Sequence, residues 1–133
     1  MDVGAQSYSN VIVVSPRGRV DHQSADQLGA AMAPHVARCE RAQCKLVLDL
    51  SGVDYMSSAG LRVLMVAGKQ ARAQGGTMVV SGLGETLREI FQISRFDRVF
   101  TVYDGVREAI AGLEPDALAD YERGAPSSSA PRC

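Results

Sequence analysis

Two adjacent serines, Ser57 and Ser58, followed by the small residues Ala59 and Gly60, are the residues best placed by type and spacing to do chemistry. They stand just after a short loop and at the start of an amphipathic helical pattern. An apolar, strand-like run, Lys45-Leu-Val-Leu-Asp-Leu50, lies shortly before them. In α/β sheets, function generally gathers at the carboxyl ends of parallel strands. A hydroxyl at such a place can attack, accept a phosphate, or cap the helix. Attack is disfavoured. A nucleophile elbow needs G-x-S-x-G with a histidine later in the chain. Met56 stands two residues before Ser58, and both histidines, His22 and His35, precede it. Capping is the structural reading, because a serine oxygen there accepts a free backbone N–H. The doubled serines, and small neighbours that leave the backbone open to a partner, add a partner-contacting loop to the readings.

Other constellations carry less. Gly82-Leu-Gly84 follows a strand pattern and opens a helix, as a dinucleotide fingerprint does. Leu87 occupies the third glycine position, so a tight turn is the better reading. Asp49 ends a strand, where a phosphorelay receiver keeps its acceptor. A receiver also needs an acidic cluster for Mg²⁺ after its first strand, and here Ser15-Pro16-Arg17 stands there. Cys39 and Cys44 with His35 match no standard metal spacing, so no metal and no cofactor is expected.

The elements that must position the serines can be read from periodicity. Val11–Ser15 is a β-branched strand, Pro16–Gly18 a turn, and Arg19–Val20 the start of a short antiparallel return. Asp21 or Ser24 opens a helix: Ser24-Ala-Asp-Gln27 has capping-box spacing, and Leu28, Met32, Val36 and Cys39 recur at helical spacing. Pro34 predicts a kink or early break. Lys45–Leu50 reads as a central strand covered on both faces. Ser51–Ser57 reads as a loop and Ser58–Gln74 as a helix ended by Gly75-Gly76. A strand at Thr77–Ser81, a helix at Gly84–Arg95, a strand at Val99–Tyr103 and a helix from the cap Asp104 to Leu113 complete the pattern. Crossovers of this length imply parallel strands. The expected fold is a single mixed α/β domain over residues 8–113, with about five mostly parallel strands and about four helices.

The chain has 133 residues, with 14 Lys+Arg against 15 Asp+Glu, so no global basic field favours nucleic acid or anionic lipid. No apolar run approaches the roughly 18 residues that span a bilayer, and no signal peptide is visible. A cytoplasmic location is the expectation. Residues 114–133 contain Gly124-Ala-Pro-Ser-Ser-Ser-Ala-Pro131 and read as a disordered tail after a frayed helix; Ser127–Ser129 offer a phosphosite there.

Leu48-Asp-Leu-Ser-Gly-Val-Asp-Tyr-Met-Ser-Ser-Ala-Gly-Leu-Arg-Val-Leu64 resembles the signature of STAS domains of the anti-sigma factor antagonist type. Gly18-Arg-Val-Asp21 resembles an earlier element of the same family. Gly75-Gly76 and Leu87–Phe96 also fall in similar places. The resemblance spans about residues 8–112. It implies helices packed mainly on one side of the sheet and a bacterial, non-enzymatic regulator of transcription that works by partner switching. The implied partners are a serine kinase that doubles as an anti-sigma factor and a metal-dependent serine phosphatase. The implied acceptor is Ser58, two residues before the glycine, with Asp21 near the phosphoserine and the partner. Well-studied members carry Asp immediately before the acceptor, where this chain has Ser57, so Ser57 is the alternative acceptor. The other branch of the family is a non-phosphorylated subunit that binds a transporter ATPase in lipid or anion transport.

Phosphorylation adds about −1.5 to −2 charges at neutral pH. A helix N-terminus accepts such charge, and Arg62, one turn on, can pair with it. At about 100° per residue, Leu61, Leu64, Met65 and Gly68 share the face that packs on the sheet. Arg62, Val63, Val66, Lys69 and Gln70 then face away, with Val63 and Val66 as an apolar docking ridge beside Ser57, Ser58, Ala59 and Gly60.

Overall fold

The structure, a computed structural model, describes residues 2–38 and 45–122. Cys39, Cys44 and Cys133 and the Ser127–Ser129 segment lie outside the described residues. Strands β1 (Asp2–Tyr8) and β2 (Val11–Val20) form an antiparallel hairpin in register from Asp2↔Arg17 to Tyr8↔Val11. Its turn is Ser9-Asn10, with Ser9 at φ 60°. The hairpin predicted around residues 16–18 is therefore not the one that forms. Residues 11–20 are one strand, and its partner precedes it.

Pro16 is tolerated because of where it falls. The parallel pairing of β2 with β3 (Lys45–Asp49) ends at Val14↔Leu48. Pairing with β4 (Val53–Met56) begins at Gly18↔Val53, with a register shift between Gly18 and Arg19. Pro16 sits between these two parallel stretches, where its missing N–H breaks neither ladder. Gly18, at φ 108°, takes the backbone that the shift requires.

Helix α1 (His22–Ala37) follows β2 and passes through Pro34 for one further turn. Helix α2 (Ser58–Ala73) follows β4, and Gly75 at φ 78° ends it in the left-handed region. Strand β5 (Thr77–Ser81) leads to α3 (Glu85–Ser94) and the short α4 (Phe96–Val99). Strand β6 (Val102–Tyr103) leads to α5 (Val106–Leu113), capped by Gly105 rather than the predicted Asp104. A 3-10 turn at Pro115–Ala117 and α6 (Leu118–Glu122) close the described chain. Sheet order is β1-β2-β3-β5-β6, with β4 beside the far end of β2. The architecture is the mixed, mostly parallel α/β sheet read from the sequence.

Alternation along the strands sorts two cores. Ile12, Val14, Leu46, Leu48 and Val80 pack under α1, α2 and α3 with Leu28, Met32, Leu64, Leu87 and Phe91. Val11, Val13, Val47 and Val79 face the other way and pack with Ala109, Ile110 and Ala117. Residues 115–122, counted with the tail in the sequence reading, belong to that second core: Ala117 is buried and Tyr121 meets Tyr8 edge-on at 5.3 Å. The end of α5 is fastened to the base of β3. Lys45 Nζ donates to the Leu113 carbonyl at 2.6 Å and to Glu114 at 3.2 Å, and Asn10 Nδ2 donates to the same carboxylate at 3.1 Å.

Candidate docking and modification site

The pairing of β2 with β4 decides where the two longest helices begin. Val20 lies opposite Met56, and the Ser57 N–H donates to the Val20 carbonyl at 2.8 Å. The residues that leave these strands, Asp21 and Ser57, are therefore neighbours. Each is the N-cap of its helix. The N-termini of α1 and α2 thus emerge side by side, and each carries the partial positive charge of its unpaired N–H groups.

Asp21 serves its own helix through one carboxylate oxygen. Its Oδ1 accepts the Ser24 and Gln23 N–H groups at 2.9 and 3.0 Å. The Asp21 N–H in turn donates to Ser24 Oγ at 2.8 Å, so the capping box runs from Asp21 to Ser24, not from Ser24 to Gln27 as its spacing suggested. The Ser24 N–H bond above all, then the Ser24 hydroxyl, the Gln23 N–H and the charge of Arg19, holds the carboxyl below its ordinary 3.8. A carboxyl with a lowered folded pKa contributes stability that is present above its unfolded value and lost as pH falls through the folded one. Asp21→Asn keeps a capping oxygen but does not titrate. In urea unfolding, wild type should lose more stability than Asp21→Asn as pH falls below 3.8. Equal losses would contradict this account of the cap.

The two serines have different roles. Ser57 Oγ accepts the Gly60 N–H at 3.3 Å, and its carbonyl accepts the Leu61 N–H at 3.0 Å, opening α2. Ser58 is the first residue of the helix and is exposed, and its hydroxyl has no hydrogen-bond partner among the described residues. His22 is likewise the first residue of α1 and exposed, but no hydrogen bond joins it to either serine.

The neighbours depart from expectation in two places. Gly60 does not open the backbone to a partner. It is buried, and a Cβ there would lie 2.6 Å from Val20 Cγ1 and 2.7 Å from Met56 Cγ. Its role is to let α2 approach the sheet. Val63 is only partly open to solvent. It is half-buried and packs on α1 at Gly29, where a Cβ would meet its methyls at 3.6 and 3.7 Å. Ala59 is half-buried against the same core, whereas Arg62 and Val66 are exposed, Val66 at 59 %.

Val63 and Val66 are thus one wall of a groove between α1 and α2 rather than a free-standing ridge. Gly29, Met32, Ala33 and Val36 form the other wall, the volume is about 290 Å³, and Arg62 stands at the rim. The small residues Gly29 and Ala33, four apart on α1, were the sequence signal for this close approach, and sequence reasoning missed them. A second feature also went unread. Arg19 and Tyr55 are cross-strand partners, with the guanidinium 4.1 Å from the ring centroid.

The remaining motifs resolve into structure. Asp49 accepts the Ser51 N–H at 3.1 Å and the Ser15 hydroxyl at 3.3 Å. Gly82, at φ 73°, makes the turn before α3, where a Cβ would crowd Ser51 and Asp49 at 3.0 and 3.1 Å. Among the described residues no group of three His, Cys, Asp or Glu side chains could hold a metal ion, and no helix is long and apolar enough to cross a membrane.

The sequence model of the STAS domain matches residues 2–109. BtrV of Bordetella bronchiseptica, named as a candidate anti-sigma factor antagonist, is 37 % identical over 118 residues, covering 89 % of this chain and 98 % of BtrV. A crystal structure of an anti-sigma factor antagonist from Mycobacterium paratuberculosis superposes with a TM-score of 0.73 at 26 % identity, covering 84 % of this chain and 92 % of that one. The phosphorylated form of SpoIIAA from Bacillus shares the fold, with a TM-score of 0.63 at 16 % identity over 85 % of this chain and all of that one.

Proposed function

The chain belongs to the STAS domain family, and on that premise we propose that it is an anti-sigma factor antagonist switched by phosphorylation of Ser58. The observation that carries this reading is the contrast between the serines. Ser57 is engaged as the cap of α2, while the Ser58 hydroxyl stands exposed and unpartnered beside it. Ser and Asp cap helices about equally well. Ser57 can therefore replace the acid that relatives carry without disturbing the first turn, which supports Ser58 as the acceptor.

In the unmodified form, a surface made by Asp21, Ser57, Ser58, Ala59, Arg62, Val63 and Val66 holds a serine-kinase anti-sigma factor and so releases its sigma factor. Gly60 supports that surface from beneath. The kinase transfers the γ-phosphoryl of ATP to Ser58 Oγ; the hydroxyl proton is lost and ADP leaves. A metal-dependent serine phosphatase hydrolyses the phosphoester and restores binding. The chain acts in the cytoplasm as substrate and ligand, not as enzyme, and contacts neither nucleic acid nor the bilayer.

Incubation with the cognate kinase and ATP, followed by phosphopeptide mapping, should put label on Ser58 that Ser58→Ala abolishes. Label confined to Ser57 moves the site, and no label rejects the switch. Val66→Asp places a charge on an exposed position where the fold does not need the valine. It should weaken kinase binding about tenfold, roughly the effect of 1.4 kcal/mol. Unchanged affinity in a titration would remove Val66 from the surface.

A further inference from the structure

Arg62 belongs to two features at once. It is four residues after Ser58 on α2, so the two share a helix face. Side chains in a helix lean toward its N-terminus, which directs the arginine back over the first turn. It also stands at the rim of the groove between α1 and α2, whose walls are otherwise apolar apart from Gln70. Arg62 is exposed and forms no ion pair among the described residues. An unpaired guanidinium at the edge of an apolar groove fits a ligand with two parts: an aliphatic or aromatic side chain to fill the groove and a carboxylate beside it. An amphipathic helix of a partner protein presents such a pair one turn apart.

We propose that Arg62 transmits the state of Ser58 to the α1–α2 groove. With Ser58 unmodified, Arg62 binds a carboxylate of the anti-sigma partner while that partner's neighbouring apolar side chain packs into the mouth of the groove against Val63, Val66 and Ala33. A phosphate on Ser58 is a stronger and nearer acceptor, and a guanidinium matches it with two parallel hydrogen bonds. It draws Arg62 away from the groove rim. The partner then loses its ionic anchor in addition to meeting the new charge. This inference rests on the function proposed above and adds a route by which one modification acts on a surface a full helical turn away.

The test compares the phosphorylation penalty in two proteins. Wild type and Arg62→Gln are each titrated against the kinase partner, unmodified and phosphorylated on Ser58. In wild type the phosphate should weaken binding about a thousandfold. In Arg62→Gln the unmodified form should bind about tenfold more weakly than wild type, and the penalty should shrink by about tenfold or more. An equal penalty in both proteins would overturn the coupling while leaving the phospho-switch intact. No penalty in wild type would overturn the switch itself, and the coupling with it. The groove is tested separately by Ala33→Leu, which fills it from an exposed helical position remote from the serine. Binding should fall about tenfold with Ser58 phosphorylated or not, and unchanged affinity would reject the groove as the docking site.

Discussion

A single phosphate on Ser58 should lower affinity for the anti-sigma partner about a thousandfold and leave the fold as stable as before. The two halves of this result have different causes. Within the chain, Ser58 is exposed at the first position of a 16-residue helix. The dipole and the free N–H groups of that end favour negative charge. The hydroxyl serves no structural bond among the described residues, so modifying it breaks nothing inside the domain. At the interface the balance reverses. A surface complementary to a neutral hydroxyl would have to strip water from a group carrying about two charges. Desolvating such charge at the interface, together with drawing Arg62 off the partner's carboxylate, costs about 4 kcal/mol, which is the thousandfold. Titration of both forms reads the affinity, and urea unfolding of both reads the fold. Equal affinities would reject the switch; a large loss of stability would mean that the phosphate acts by unfolding α2 instead.

Gly60→Val should destabilise the domain by about 3 kcal/mol, at the upper end of the cost of overpacking a close-packed site. Even one added carbon would sit 2.6 Å from Val20 Cγ1 and 2.7 Å from Met56 Cγ, inside any real contact distance. Val20 and Met56 are themselves buried and paired across β2 and β4, so neither can retreat. Replacing a helical glycine recovers part of its backbone entropy, up to about 1 kcal/mol, which does not offset the clash. Because Gly60 also donates to Ser57 Oγ, displacing it opens the cap beside Ser58. The native fraction should therefore be a poorer kinase substrate as well. A variant as stable as wild type would refute the close packing.

The sequence was most legible where one physical signal dominates. Lys45–Asp49 and Thr77–Ser81 are buried on both faces, and their apolar runs marked them as strands. β1 was invisible for the opposite reason. Asp2–Tyr8 is an edge strand, largely exposed, and owes its conformation to pairing with β2 rather than to any pattern of its own. β4 is four residues long, and its signal is submerged in the polar loop around it. Pro16 and Gly18 read as a turn because their local preferences favour one; the tertiary pairing of β2 overrode them. At the candidate site, the helix starts near Asp21 and Ser58 were legible because helix starts have chemical signatures. The burial of Gly60 and Val63 was not, since each depends on an element distant in sequence: Val20 for one and Gly29 for the other.

The separation of the two cores by the sheet has an evolutionary consequence. Val11, Val13, Val47 and Val79 pack with α5 on the face opposite α1 and α2. Substitutions on the exposed sides of α1 and α2 therefore leave that packing untouched, and energetic effects at such distances are nearly additive. Duplicated copies of a gene for this fold could diverge in which partner they recognise while inheriting the same structural reserve. Parallel signalling circuits within one cell could then be insulated from each other by a handful of helix-surface changes, with no need to reinvent the domain.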